Sequence, residues 1–451
     1  MYDEATRNEI RDWDRQHHWH AFTQMADYEP LVIERAEGCR LIDIDGRSYI
    51  DGASSMWCNV HGHNHPKINA AICKQVGRVS HCTALGMGSD VTARLAKRVA
   101  DVAPGNLEHV FFASDGSSAN EVALKMAFQY WRQCEKPQPA RTKFLAFGEA
   151  YHGDTLGSAS VSGIARFHAL FKPLLFDVVR APLPDVRRLP PGTTNTDAVT
   201  QFLSDVESLL FAHEGEIAAL VIEPLVQCAA GMVMHPPGFL RGLRELTQAH
   251  DVLLIADEVA VGFGRLGTMF ACEQEGVVPD FLCLGKGLSG GYLPISATVT
   301  NKRIYRAFLG EFYEGRTLHH GHTFSGNPLA AAAALASLEV FEEEQTLEVL
   351  PEKIARLSDQ LWRLGEHPHV SSTRQRGLIG AIELTPHKSS DLPYPANERC
   401  AWRVCRETLA QGVWLRPLAD TLYVMPPLAI TIDELDTMMN TLAAAIDSVT
   451  K

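Results

Sequence analysis

The hydrophobic and polar positions in the N-terminal part of the chain follow two different periods. Residues 31–52, LVIERAEGCRLIDIDGRSYIDG, alternate between apolar and polar positions around an Asp45-Gly46 turn, and this pattern predicts a small antiparallel hairpin. From about residue 66 the apolar positions recur at helical spacing, which predicts two successive amphipathic helices. Their apolar faces comprise Ile68, Ile72, Val76 and Val79 in the first helix, and Leu95, Val99 and Val102 in the second.

Further along the chain, short β-rich apolar runs alternate with helical stretches. The runs read HVFFAS, TKFLAF, DVVRAP, IAALVIEP, VLLIADEV and FLCLGK. Such alternation is typical of an α/β fold with a mostly parallel sheet. After about residue 328 come an alanine-rich helix, a mixed region and a last helix that begins with a Thr431-x-x-Glu434 capping box. The apolar face of that last helix comprises Leu435, Met438, Leu442, Ile446 and Val449.

The change of pattern at both ends of the chain predicts two domains. The strands of the main sheet all fall within residues 66–328, which we expect to form a large domain. Residues 1–65 and 329–451 both lie outside that sheet. We therefore expect them to assemble together into a smaller α+β domain.

Composition and charge exclude several classes of partner. The 451 residues carry a net charge of -13 without a basic block, which argues against binding to nucleic acid. The N-terminus lacks the apolar stretch of a secretory signal, and the most apolar later run, PLAAAAALASLEVF, reaches Glu339 before it could span a bilayer. The ten cysteines include no CxxC pair, which is typical of reduced thiols. We expect a cytoplasmic protein without a membrane partner.

A carboxylate and a lysine stand at the ends of two predicted strands. Asp257 ends the strand VLLIAD, and Lys286 follows the strand FLCL within the glycine-rich segment GKGLSGG. The carboxyl ends of parallel strands meet at one edge of a sheet, where ligands bind, so both side chains can face one crevice. A strand-end acid can instead cap a helix or pair with Arg265, and this alternative stays open for Asp257.

A candidate anion site follows the strand HVFFAS. The residues Asp115-Gly116-Ser117-Ser118 open a helix there, and the free backbone N–H groups of a helix N-terminus, together with two hydroxyls, favour a phosphate. Tyr151 stands in a predicted loop after the strand TKFLAF, where its ring can stack on a flat ligand. Ordinary helix capping and ordinary aromatic packing are the alternatives for these two features.

A phosphate site, a stacking aromatic, a carboxylate and a presented lysine together describe a site for pyridoxal phosphate. The Lys286 amine can form a Schiff base with the aldehyde of that cofactor. The Asp257 carboxylate can hold the pyridine nitrogen protonated, so that the ring accepts electrons when a substrate Cα–H bond breaks. Lys286, once displaced by the substrate amine, can carry that proton. On this interpretation the neighbouring glycines let the backbone approach the cofactor and leave the lysine room to move.

Three other motifs point to different chemistry, and each fails on its context. Gly262, Gly264 and Gly267 match GxGxxG, but the match does not follow its strand directly, as a dinucleotide fingerprint must. Lys286 precedes a glycine rather than Ser or Thr, which argues against a P-loop. The segments HHWH, HGHNH and HHGH look like metal-ligand clusters, yet none has the HExxH spacing of a zinc hydrolase. We therefore expect no metal.

Four segments resemble the class III aminotransferases of pyridoxal phosphate fold type I. They read LVIEPLVQCAAGMV, LLIADEVAVGFGRLG, CLGKGLSGGYLPISA and HGHTFSGNPLAAAAALASLEV, and the resemblance covers nearly the whole chain. It implies a large pyridoxal-phosphate-binding domain with a mostly parallel central sheet, a smaller α+β domain, and a homodimer with shared active sites. The cofactor contacts it implies are Lys286 as the Schiff-base lysine, Asp257 on the pyridine nitrogen, Val259 against the ring face, Tyr151 stacked on the ring, Gly116 and Ser117 on the phosphate, and Thr323 on the phosphate of the neighbouring subunit.

Further segments are similar to one branch of this family, whose members convert 8-amino-7-oxononanoate to 7,8-diaminononanoate in biotin synthesis. These segments read HHWHAFTQM, DGASSMWCNVHGHNHP, YWRQ, YHGDTLGS and VWLRPLAD. The resemblance implies that Trp57 and Tyr151 line the substrate pocket and that Gly321 lies near the substrate. It also implies that Arg416 meets the carboxylate of the keto substrate.

Two positions depart from the pattern of that branch. Met56 stands where the first residue of a Trp-Trp pair is usual, and Phe22 stands where the tyrosine of Pro-Tyr-Thr is usual. Both lie where the resemblance places the amino donor, which is either adenosylmethionine or lysine. The two departures favour weaker use of adenosylmethionine. A general ω-aminotransferase that acts on diamines or ω-amino acids is the nearest alternative.

Overall fold

The computed structural model describes residues 2–388 and 392–450. Its strands are β1 Ile33–Glu37, β2 Arg40–Asp43, β3 Ser48–Asp51, β4 Leu107–Ala113, β5 Lys143–Phe147, β6 Val179–Ala181, β7 Ile217–Ile222, β8 Val226–Gln227, β9 Val233–Met234, β10 Leu253–Asp257, β11 Phe281–Leu284, β12 Ser296–Asn301, β13 Val370–Arg376, β14 Ile379–Leu384, β15 Val413–Trp414 and β16 Thr421–Val424. Its helices are α1 Glu4–His17, α2 Ser54–Trp57, α3 Pro66–Val76, α4 Asp90–Val102, α5 Gly116–Gln133, α6 Leu156–Val161, α7 Ala165–His168, α8 Asn195–Ala212, α9 Phe239–Ala249, α10 Lys302–Ala307, α11 Pro328–Glu343, α12 Thr346–Gly365, α13 Cys400–Ala410 and α14 Ile432–Thr450.

A seven-stranded sheet in the order β4-β12-β11-β10-β7-β5-β6 forms the centre of the fold, and β12 alone in it runs antiparallel to its neighbours. Both faces of the sheet are covered. On β10, Leu253 and Ile255 enter one hydrophobic core, whereas Leu254 and Ala256 enter the other. Burial on both faces explains why these strands read as apolar runs. The predicted runs correspond to β4, β5, β6, β7, β10 and β11, which confirms the α/β class.

The two ends of the chain share a smaller sheet. The predicted hairpin is present as β2 and β3, joined through Gly46 at a φ of 82°. The C-terminal β15 pairs parallel to β3, while β13, β14 and β16 form a separate three-stranded sheet. The division into domains at residues 65/66 and 328/329 stays a prediction. Residues 1, 389–391 and 451 of the smaller domain lie outside the described part of the chain.

Two helical predictions differ in outcome. The capping box of α14 is confirmed, because the Glu434 N–H donates to Thr431 Oγ at 3.2 Å and the Thr431 N–H donates to the Glu434 carboxylate at 3.3 Å. The face predicted for α3 is partly wrong: the helix ends at Val76, which is 58% exposed, and Val79 lies beyond it. Gly77 follows directly, and its poor helix propensity ends the apolar stripe there. Among the described residues, no helix combines the length and apolarity needed to cross a membrane.

Candidate active site

A cavity of about 490 Å³ lies at the carboxyl ends of β10 and β11, beside the N-terminus of α5. The predicted site residues that line it are Trp57, Gly116, Ser117, Tyr151, Asp257, Val259 and Lys286. The sheet brings Tyr151, Asp257 and Lys286 together because each ends or follows a parallel strand of the same sheet edge.

Asp257 is almost completely buried beside this cavity, with its carboxylate fixed by three donors. Its Oδ2 accepts hydrogen bonds from Asn120 Nδ2 and His152 Nδ1, each at 2.8 Å, and its Oδ1 accepts the Val259 N–H at 3.1 Å. These donors come from α5, the loop after β5 and the chain after β10, so the plane of the carboxylate is set by three elements. Such bonds stabilise a buried negative charge and leave Oδ1 able to accept one more donor.

Glu258, the acid next to Asp257, caps a helix. This is the structural role that the sequence left open for an acid at the end of this strand. Its buried carboxylate accepts the N–H groups of Ala271 and Cys272 at 2.7 and 2.8 Å, at the start of a short 3-10 helix. Burial raises the pKa of Glu258 to about 7. Arg265 pairs with neither acid and donates to backbone carbonyls instead. The capping alternative therefore describes Glu258.

Lys286 is held in an uncommon backbone conformation just after β11. Its φ of 41° is left-handed, and its Nζ lies 5.1 Å from the centre of the Trp57 ring, within cation–π range. A Cβ on Gly287 would lie 2.9 Å from the Cβ of Phe263. Close packing against protein therefore already requires glycine at 287, apart from any approach of a cofactor.

The N-terminus of α5 combines a capped turn with free donors. Asp115 accepts the Ser118 N–H at 2.9 Å and the Ser118 hydroxyl at 3.1 Å. Within the described residues, the N–H groups of Gly116 and Ser117 donate to no acceptor. A Cβ on Gly116 would lie 2.6 Å from a methyl of Val259, so this backbone packs directly against that side chain. Capping and an anion site are thus compatible, because they use different N–H groups.

Tyr151 is anchored at both ends beside the cavity. Its N–H donates to Glu223 at 2.9 Å, and its hydroxyl donates to Asp154 at 2.8 Å. Burial, reinforced by the Asp154 hydrogen bond, raises the pKa of this hydroxyl well above its ordinary value. The Tyr151 side chain is therefore a neutral, oriented wall of the cavity.

Met56 directly precedes Trp57 but does not line this cavity, and four other predicted residues also lie outside it. Phe22 and Arg416 line a second cavity of about 560 Å³, where Arg416 donates to the Phe22 carbonyl at 3.2 Å. Gly321 and Thr323 are exposed in the segment before α11 and line neither cavity. Within one chain, the structure does not bring these four residues together with Lys286.

Met56 and Trp57 are carried by α2, Ser54–Trp57, which is a left-handed turn. The φ angles of its four residues are 49°, 47°, 70° and 72°, although none is glycine. Left-handed backbone costs an L-residue roughly 1–2 kcal/mol. Met56 Sδ lies 3.9 Å from the Tyr423 hydroxyl, and the rings of Trp57 and Tyr423 are 6.0 Å apart. A strained backbone thus holds two predicted substrate-site residues.

The sequence reasoning missed four polar residues that surround Asp257 and Tyr151. They are Asn120, His152, Asp154 and Glu223. His152 and Asp154 were visible in the segment YHGDT, and Asn120 stands four residues after Gly116 on the same helix. Glu223 directly follows β7, so the strand-end rule that found Asp257 would have found it too. Burial raises the pKa of Glu223 to about 7.

The histidine-rich segments are engaged elsewhere. His63 Nε2 lies 3.0 Å from the Asp51 carboxylate. Asp14, His18 and His20 have ligand atoms within 4.8 Å of one another, the one such group in the part of the chain that the structure describes. None of these three lines either cavity.

The groups around the first cavity fit pyridoxal phosphate. The Asp257 carboxylate keeps a lone pair for a protonated ring nitrogen. The N–H groups of Gly116 and Ser117 are available to a phosphate, and Lys286 offers an amine to an aldehyde.

Comparisons with known proteins agree with a site for pyridoxal phosphate. The family described as aminotransferase class-III matches residues 22–446. The chain is 51% identical to the adenosylmethionine-8-amino-7-oxononanoate aminotransferase of Nitratidesulfovibrio vulgaris, over 98% of this chain and 82% of that one. The crystal structure of the enzyme of that name from Methanocaldococcus jannaschii has a TM-score of 0.92 and 40% identity, covering 98% of this chain and 99% of that one. The omega transaminase of Pseudomonas jessenii in complex with PMP has a TM-score of 0.93 and 29% identity, covering 98% of each chain.

Proposed function

We propose that this chain, which belongs to the aminotransferase class-III family and is a pyridoxal-phosphate-dependent transaminase, converts 8-amino-7-oxononanoate to 7,8-diaminononanoate in biotin synthesis. The observation that carries the choice of substrate is the 51% identity, over 98% of this chain, to an enzyme named for that acceptor. All ten cysteines are free of disulfide bonds in the structure, which favours a cytoplasmic location.

The residues of the first cavity would bind and orient the cofactor. Pyridoxal phosphate, when bound, supplies an aldehyde that takes up the amino group and a ring that accepts electrons. Asp257 would accept a hydrogen bond from the protonated ring nitrogen and so keep that proton on the ring, and Asn120 and His152 keep its carboxylate in place. Gly116 and Ser117 would donate their N–H groups to the phosphate. We also propose Val259 and Tyr151 as contacts of the ring, since both line the cavity.

Lys286 would move the proton. Its Nζ would bond the cofactor aldehyde at rest, would take up a proton from the Cα of the donor, and would give one to the acceptor carbon that receives the amino group. The Trp57 ring, 5.1 Å from Nζ, is one wall of the cavity in which this transfer would take place.

The acceptor would be recognised at its carboxylate. Arg416 presents a guanidinium to the second cavity and is the predicted partner of that group, since a guanidinium binds a carboxylate through two parallel hydrogen bonds. Trp57 then contacts the alkyl chain, and Gly321 lies near the bound acceptor. These contacts are carried over from the family resemblance.

The amino donor is adenosylmethionine or lysine, and Phe22 and Met56 favour weaker use of adenosylmethionine. Phe22 offers no hydroxyl, and Met56 is an adaptable thioether where a rigid aromatic is usual. A general ω-aminotransferase is the second candidate, favoured by the 0.93 TM-score to the omega transaminase of Pseudomonas jessenii.

A homodimer with shared sites completes the proposal. Thr323 lines neither of the two cavities described above, and the family resemblance assigns it to the phosphate bound by the neighbouring subunit. Large apolar side chains are exposed on the single chain, among them Leu170, Phe312 and Tyr313 at 86%, 95% and 84%. Such side chains favour burial against a second copy.

A donor screen tests the reaction. Purified holoenzyme is incubated with 8-amino-7-oxononanoate and, in turn, adenosylmethionine, lysine, a diamine and an ω-amino acid, and the products are identified by mass spectrometry. We expect diaminononanoate with adenosylmethionine, with lysine or with both. No diaminononanoate with any donor, together with turnover of the diamine, would replace this proposal by the general ω-aminotransferase.

Subunit mixing tests the shared site. Lys286→Ala and Thr323→Ala chains are expected to be impaired separately. After co-refolding they should recover roughly a quarter of the native sites, because half of the random dimers are mixed and each mixed dimer has one intact site. Sedimentation of the wild type as a fully active monomer would contradict the proposal.

A further inference from the structure

The left-handed turn Ser54–Trp57 is anchored by a buried carboxylate. Asp51, fully buried at the end of β3, accepts the Ser55 N–H at 2.9 Å, the Ser55 hydroxyl at 2.7 Å and a hydrogen bond from His63 Nε2 at 3.0 Å. Hydrogen bonds to a charged group are stronger than neutral ones, and these three converge on one side chain. They hold in place a conformation that glycine alone adopts readily.

The other end of the turn is fixed by separate contacts. Arg265 donates to the Trp57 carbonyl at 3.2 Å, and the Trp57 ring packs edge-to-face on Tyr423. The indole is only 6% exposed and faces Lys286 across the cavity. Since the direction of a side chain follows the backbone that carries it, relaxation of the turn would move this ring relative to Lys286.

We infer that Asp51 and Ser55 are positioning residues for substrate binding, and that they act through Trp57 by holding the strained turn that makes the indole a fixed wall of the active-site cavity. Neither Asp51 nor Ser55 lines that cavity, so their effect on a substrate passes through the turn. Strained backbone that is over-determined by its surroundings is typical of ligand-binding sites. The inference depends on the proposed function only for the identity of the acceptor. Its other parts require only that the protein is a transaminase.

A double-mutant cycle tests this coupling. The half-reaction is measured with whichever amine donor the wild type uses best, so that the proposed acceptor does not enter. Ser55→Ala should raise KM for the donor about tenfold, the scale of a hydrogen bond to a charged group, with kcat within about twofold. In a Trp57→Ala background the same change should alter KM by less than about twofold, because the residue through which it acts is gone. Equal effects in both backgrounds would overturn the inference.

Two substitutions at residue 55 separate positioning from stability. Ser55→Gly and Ser55→Ala both remove the hydroxyl, but glycine also relieves the left-handed φ of 47°. The glycine variant should melt at a higher temperature than the alanine variant and still show a KM at least as high. If KM recovers in step with the melting temperature, Ser55 has only a structural role. Gln345→Gly is the control: Gln345 is exposed at a φ of 50°, and this change should raise the melting temperature without altering KM.

Fluorescence gives a readout that does not depend on turnover. The emission of Trp57 is obtained as the difference between holoenzymes with and without Trp57→Phe, each with and without Ser55→Ala. Acrylamide quenching of that emission should increase severalfold with Ser55→Ala, because the loosened turn exposes the indole. Unchanged quenching would overturn the inference even if diaminononanoate is formed. A wild type that forms none would overturn the proposed acceptor and leave this result standing.

Discussion

The two cavities differ in how their side chains are held. Around Lys286, the central carboxylate of Asp257 is 4% exposed and accepts hydrogen bonds from three elements. Around Arg416, the walls come from the N-terminal segment and the C-terminal region, and Phe22 is 55% exposed. A charged pair there, Arg399 with Asp27 at 3.1 Å, is also largely exposed.

We expect this difference to separate two tasks of the protein. Strand ends packed between two cores cannot shift without disturbing both, so they suit groups that must stay in register to move protons. Exposed segments tolerate substitution at low cost, so they suit groups that select a substrate. Substitutions of Asp257 and Lys286 in the first cavity should therefore reduce turnover, and substitutions in the second should change substrate affinity or choice.

Lys286→Ala is the substitution that should have the largest effect on turnover. Turnover should fall by more than about 10⁴-fold, the upper end of what a positioned proton-transfer group contributes, because the amine also bonds the cofactor. Cofactor content, measured after dialysis, should persist. Lys302→Ala, at an exposed position on α10, is the control and should match the wild type. Appreciable turnover by the Lys286 variant would remove this residue from the mechanism.

Asp257→Asn should reduce kcat by about 10²–10³-fold, the scale of losing one key electrostatic contact. The amide keeps an oxygen for Asn120 and His152 but turns an N–H₂ towards the Val259 N–H and cannot hold a ring-nitrogen proton. Steady-state kinetics and a thermal melt are compared with those of the surface control Asp359→Asn. A near-normal kcat would show that Asp257 is a structural residue.

Glu258→Gln tests the structural role of the acid next to Asp257 through the pH dependence of stability. Burial raises the pKa of Glu258 from 4.5 to about 7, so its contribution to stability is fully present below pH 4.5 and is lost as pH rises towards 7. Glutamine lacks this titration. The stability deficit of the variant should therefore be smaller at pH 8 than at pH 4.5, by up to about 3 kcal/mol for the full shift. Denaturant melts at both pH values measure this, and a deficit that does not change with pH would contradict it.

Arg416→Ala tests the second cavity. KM for the keto substrate should rise about ten- to a hundredfold, the value of a charge-assisted pair, with a smaller change in kcat. Arg399→Ala is the matched control, because Arg399 lines the same cavity but is paired with Asp27. If both variants raise KM equally, the effect reflects general charge rather than recognition by Arg416.

Phe22→Tyr should give the smallest effect. The added hydroxyl should shift the ratio of kcat/KM for adenosylmethionine over lysine about threefold towards adenosylmethionine, the scale of one neutral hydrogen bond. Phe211→Tyr, on the exposed face of α8, is the control. An unchanged ratio in competition assays would mean that Phe22 does not contact the donor. Turnover with adenosylmethionine and none with lysine would end the case for lysine.

The sequence by itself determined the α/β class and predicted Asp257 and Lys286, around which the first cavity is built. A parallel sheet buried on both faces requires continuous apolar runs, and these are local patterns that can be read directly. Asp257 and Lys286 were found for the same reason, since each is a charged residue at the end of such a run. The resemblance to a family added Val259 and Thr323, which no local pattern distinguishes.

The tertiary structure decided which side chains surround those residues. His152 and Asn120 reach Asp257 from positions 105 and 137 residues away in the chain. The left-handed turn of Ser54–Trp57 is invisible in its own sequence, because its conformation depends on Asp51 and on a hydrogen bond from Ser54 to the Met425 carbonyl, 371 residues further on. Propensity describes what a segment favours alone, whereas a buried carboxylate and a distant carbonyl can hold it in a conformation that it does not favour.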